Sequence, residues 1–166
     1  MSVKQLMVTK VELGDVNAVT GAITGWVEIS TYDGTLKIEE EPVAKTKHKQ
    51  SGATSPRLIV NIAGGEKAVF QMMDADPDNA AIALGGTVTT VTTKKTWNKP
   101  KGNPPQRIKA LRVTTVDAML YMINKGSITG RKILEFEDTK IGLWEVEIES
   151  LDTGFPLIPD VTWGDA

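Results

Sequence analysis

The sequence predicts a mainly β domain carrying one short α-helix, and two observations predict it. Short segments rich in Val, Ile and Thr recur along the chain, separated by Gly, Asp, Asn and Pro, the pattern of strands joined by turns. One sharply bounded helix signal, "DPDNAAIALGG", interrupts that pattern.

The first strands fall at residues 5–13 and 25–31. "YDGT" at 32–35 reads as a hairpin turn, because Asp-Gly readily takes positive φ, and it leads into a strand over 35–41. Strands over 57–63 and 68–73 follow, with Gly64-Gly65 as the turn between them. The helix covers 77–84. Asp76 is its N-cap, Pro77 suits the first helical position, Asp78 complements the dipole, and Gly85 stops the helix in the left-handed conformation. A Thr-rich strand spans 87–97 and another spans 107–115. In "TVDAMLYMINKG", Met119, Met122 and Ile123 share a helical face, but the turn at Asp117 and the β pieces that follow favour a strand over 119–124. Strands over 132–136 and 143–151 complete the set. The last is the clearest: Trp144, Val146 and Ile148 face one way and Glu145, Glu147 and Glu149 the other, so one face is core and one is wet.

Two segments read as excursions rather than core. Residues 39–56 run from Glu39, Glu40 and Glu41 through Lys45, Lys47, His48 and Lys49 to small turn formers. Residues 98–107 hold three prolines and no apolar side chain. Neither marks a domain boundary, because the β pattern resumes on both sides, and 1–166 reads as one domain. The C-terminal arm, 152–166, is apolar but broken by Pro156 and Pro159, which suggests docking on its own barrel or on a neighbour.

With a net charge of −2, the domain is not built to hold nucleic acid by bulk charge. There is no cysteine, hence no disulfide, thiolate metal site or cysteine nucleophile. The first fifteen residues carry Lys4, Lys10 and Glu12 and no apolar run, unlike a signal peptide, and no stretch reaches membrane-spanning length. These features point to a cytoplasmic product without membrane insertion.

A search for chemistry returns little. Asp74, Asp76 and Asp78 alternate like the start of a calcium loop, but the sixth position is Asn79, not Gly, and the twelfth is Gly85, not Glu. His48, the only histidine, reads as an exposed loop residue, and no phosphate-binding glycine pattern is present. The carboxylates Glu135, Glu137 and Asp138, like the Glu145 row, read as solvated surface rather than a glycosidase pair. Lys94, Lys95, Lys99, Lys101, Arg107 and Lys109 surround Trp97, leaving single-stranded nucleic acid as a minor reading. No catalytic residue, cofactor site or metal site is expected, and the chain does not read as an enzyme.

The order of features carries a resemblance: an opening strand, "ITGWVEIS", a hairpin, a long polar excursion, "KAVFQMMD", "DPDNAAIALGG", a Thr-rich strand, and "INKGSITGRKILEFEDTKIGLWEVEIESL". Over roughly residues 7–151 this resembles the tail tube (major tail) proteins of long-tailed bacteriophages and, more distantly, the tubes of contractile injection and type VI secretion systems. The resemblance implies a β-barrel or sandwich with one short helix, forming hexameric rings that stack into a hollow tube. It implies a virion tail assembled in the host cytoplasm, with tail terminator, tape measure and baseplate or sheath proteins as partners and DNA passing through without specific binding. The 39–56 segment would then reach the adjoining ring, its acids (Glu39, Glu40, Glu41) and bases (Lys45, Lys47, His48, Lys49) fixing register; alternatively it is a solvated hairpin. If Glu145, Glu147 and Glu149 face the lumen, the wall repels phosphate; if they face outward, they solubilise. An injection-system tube delivering effectors and a monomeric β-sandwich binding module, with Trp26, Trp97, Trp144 and Trp163 on a flat face, are the alternatives.

Overall fold

The computed structural model describes residues 6–52, 54–73, 76–103, 105–134 and 142–166. Asp74, the first position of the supposed calcium loop, lies outside these residues, as do Pro104 and the acids Glu135, Glu137 and Asp138.

The architecture is mainly β, a curled half-barrel sheet with one short helix. In chain order the elements are β1 (Val8–Val16), β2 (Ile23–Glu28), β3 (Lys37–Glu40), β4 (Ala44–His48), β5 (Leu58–Ile62), β6 (Glu66–Met72), α1 (Pro77–Leu84), β7 (Thr87–Val91), β8 (Lys94–Asn98), β9 (Arg107–Thr115), β10 (Met119–Ile133), β11 (Leu143–Ser150) and β12 (Val161–Asp165). The main sheet runs β2-β1-β9-β10-β11-β6-β3, with β12 added on β10, and every pairing in it is antiparallel. Ribbons β4–β5 and β7–β8 stand apart from it.

Strand β10 organises the curl. Its first half pairs β12 through Met119–Ile123 and its second half pairs β11 through Gly126–Ile133, while β9 holds its other edge. The change of neighbour falls at a register shift between Ile123 and Gly126. There the Asn124 backbone N–H donates to Asp160, and its side-chain amide donates to the Pro159 carbonyl (2.7 Å) and Thr162 Oγ1 (3.1 Å). A buried amide with partners on both sides fixes where the strand bends.

The concave face is the core. Leu111, Ile123, Phe70, Val146 and Ile148 are fully buried there, with Trp144 nearly so. Helix α1 closes one end, burying Ala80 and Ala83 against β10 and β11. It comes close because position 130 is glycine: a Cβ there would overlap the Ala83 carbonyl. Its ends follow the expected signals. Asp76 Oδ1 accepts from Asn79 N at 2.7 Å, Pro77 opens the helix, and Gly85 N donates to Ala81 O at 3.0 Å.

Four expectations are corrected, and one open alternative is decided. Residues 87–97 are a hairpin, not one strand; its turn places Thr92 at φ 58° without any glycine. Residues 119–124 and 132–136 are not separate strands; 119–133 is continuous, because "NKG" makes a bulge rather than a turn. "YDGT" is a turn closed by Thr35 N to Tyr32 O (3.2 Å), but it joins no paired strands, since β2 pairs β1 and β3 pairs β6. Gly85 has φ 74° and ψ −167°, a glycine-only region but not the left-handed helical one. The C-terminal arm docks on its own sheet, and its last part is a regular strand.

Candidate assembly surface

The segment read as an excursion over 39–56 divides between two structures. Glu39 and Glu40 belong to β3 in the main sheet, and Glu41 anchors the next turn by donating its N–H to Gly65 O at 2.8 Å. An added Cβ at Gly64 would overlap the Glu41 carbonyl, so the glycine pair lets the chain leave and re-enter the sheet at one point. Between these points β4 and β5 form a two-stranded ribbon. Lys45 and Lys47 lie on it, Lys49 lies just beyond β4, and His48 is a strand residue rather than a loop residue.

The ribbon is amphipathic. Cross-strand pairs Ala44–Ile62, Thr46–Val60 and His48–Leu58 put Leu58, Val60 and Ile62 on one face; Lys45–Asn61 and Lys47–Ile59 make the other. Every residue of both strands is exposed, with Leu58 and Ile62 each at 56%. Among the described residues, Lys45, Lys47 and Lys49 have no acidic partner. A lone two-stranded ribbon is marginal in water, and among the described residues nothing covers the apolar face of this one.

The glutamate row lies on the face opposite the core, as its alternation requires, but it is not a bare row. Arg131 donates to Glu145 at 2.5 Å and holds its carboxyl below the ordinary carboxylate range; Lys67 meets Glu147 at 2.8 Å. Glu39 stands across Lys67 from Glu149 and meets Lys37 at 2.5 Å. Four carboxylates thus share the face with three cations, which weakens any repulsive field from it.

Three of the six cations in the basic cluster around Trp97 are engaged, as is the indole itself. The indole donates to Gly85 O at 2.7 Å, and Arg107 donates to the Ile82 and Ala83 carbonyls, both at 2.7 Å, capping α1. Lys95 pairs with Asp78, and Lys109 with Asp15. The four tryptophans form no flat face: Trp144 is buried, Trp97 is bonded to the helix end, Trp26 lies beneath Arg112 on the outer face, and Trp163 tilts against Tyr121 on the inner one. No group of three or more potential metal ligands occurs among the described residues.

Sequence reasoning missed a cleft at the end of the half-barrel away from α1. Leu36 and Ile38 of the β3 side face Val161 and Trp163 of β12 across it, with Leu6 and Val8 at its rim. At its polar edge Tyr121 donates its hydroxyl to Glu66; burial, reinforced by that carboxylate and by Glu40, pushes the Tyr121 pKa well up. No family model and no curated protein matches the chain.

Proposed function

We propose that the chain is a structural subunit that assembles with copies of itself into stacked rings forming a hollow tube, the role implied by its resemblance to phage tail tube proteins. One observation carries the proposal: the β4–β5 ribbon, apolar on one face and cationic on the other, stands apart from the main sheet and has no cover among the described residues. Covering its apolar face would be favourable by about 1.5–3 kcal/mol for each large side chain.

Two further features support the reading. The main sheet ends at β2 and β3, which leaves one free edge at each end of the half-barrel. Unlike edges on one subunit favour head-to-tail contacts, and such contacts close into rings when the rotation permits. By contrast, Arg107, Lys95 and Lys109 near Trp97 and Glu145 and Glu147 on β11 are engaged within the fold.

Light scattering coupled to size exclusion, followed by negative-stain imaging, tests the proposal. Rings or tubes are the expected result; a persistent monomer at high concentration contradicts it.

A further inference from the structure

The ribbon carries an uncovered apolar face, and the terminal cleft has an apolar lining with an acid at its edge. From the assembly reading, on which this step rests, we infer that the apolar face of the β4–β5 ribbon docks into the cleft between β3 and β12 of a second copy of the chain.

Three observations carry it. The first is chemistry. The ribbon offers Leu58, Val60 and Ile62 at alternate positions, and the cleft offers Leu36, Ile38, Val161 and Trp163. The cleft is about 460 Å³ in volume and is the part of the inner sheet surface that the chain's own core leaves open, with Trp163 51% exposed and Leu6 62% exposed. A packed interior does not leave apolar space of that size.

The second is charge. From residue 42 to residue 65 the chain has four cationic side chains, Lys45, Lys47, Lys49 and Arg57, and no acid. The cleft is lined by Glu66 and by no lysine or arginine, and Glu40 stands opposite Glu66 in the β3–β6 register. A net positive ribbon and a cleft with acids at its edge attract one another at encounter, while Lys45 and Lys47, on the face opposite Leu58, Val60 and Ile62, stay outside the docked contact.

The third is the free edge of β3. That strand pairs β6 on one side only, so the cleft is bounded by backbone groups able to accept an added strand. Strand β5 likewise pairs on one side only. Main-chain bonding would then supply affinity while the alternate side chains supply register.

The absence of cysteine gives a clean test. Val60→Cys is introduced in one preparation and Ile38→Cys in another of different tag length, and the two are mixed with a short bis-maleimide. A crosslinked heterodimer is expected, while Val60→Cys mixed with Lys94→Cys should give none, because Lys94 lies on the separate β7–β8 ribbon. Circular dichroism melting checks that each variant is folded, and Val60→Asp should abolish assembly while keeping the melting curve. Assembly by light scattering without the Val60–Ile38 heterodimer overturns the cleft as the acceptor and leaves the tube reading standing. A wild-type chain that stays monomeric overturns both.

Discussion

Glu12 of β1 is only 5% exposed, yet it is held as an anion: Arg112 donates to it at 2.7 Å, Lys10 meets it at 2.8 Å, and its pKa is held down to about 2. Because the folded value lies below the unfolded one, the pair stabilises fully above about pH 4.5, and that contribution is lost as pH falls toward about 2. Its size is on the order of 3 kcal/mol. Urea unfolding of the wild type should therefore weaken between neutral pH and pH ~3; Glu12→Gln should be less stable at neutral pH and lose part of that pH dependence. A second prediction concerns the helix cap. Asp76→Ala removes the acceptor for Asn79 N and should cost about 1 kcal/mol in the same assay. The positions of both caps of α1 were legible in the sequence, because Asp-Pro and Gly-Gly act through local backbone chemistry, but the backbone conformation at Gly85 was not. The ion pair at Glu12 was not, because its partner Arg112 is a hundred residues away and only the β1–β9 register brings them together.

Among elements, β10 and α1 are coupled through one glycine. Gly130→Ala should push the helix off the sheet and cost about 1–3 kcal/mol by overpacking, whereas Gly164→Ala in β12, which meets nothing nearby, should be close to neutral. Thermal melts of the two variants compare the sites directly. The same scale shows what alternation can and cannot reveal. Strand β9 falls at its expected bounds, and the inward side chains of β11 are the expected ones, because a half-buried strand writes its face into every second residue. The β7–β8 hairpin was hidden because a threonine, not a glycine or asparagine, takes the positive φ. The break between β11 and β12 along β10 was hidden because neighbour exchange leaves no periodic mark, only an asparagine with three partners.

For the molecule as a whole, the consequence is a division between body and ribbon. Leu58→Asp should leave the melting temperature of the monomer nearly unchanged, since the side chain is exposed, yet prevent assembly in a sedimentation assay. Charge should matter too. Raising NaCl from about 0.05 to about 0.5 M should raise the concentration needed for assembly, because screening weakens contacts between the basic ribbon and acidic surfaces. The candidate surface was only half legible. The split of acids and bases over 39–49 drew attention to the stretch that holds the exposed ribbon; Glu39 and Glu40, which fell both in the expected strand over 35–41 and in the excursion over 39–56, are sheet residues. "LIVNI" was read as an ordinary strand, because an apolar run has the same sequence signature whether its cover comes from its own chain or from elsewhere.

The ribbon also makes a built-in clock. Lys45, Lys47, Lys49 and Arg57 are all trypsin sites, carried on an element that leaves and re-enters the sheet at Glu41 and Gly65. In a free subunit, protease should nick this stretch first and leave a body whose eight-stranded sheet keeps its pairings. Once the ribbon is covered by a neighbour, the same bonds should resist cleavage, so the rate of digestion reports, without any label, the fraction of subunits that have found a place.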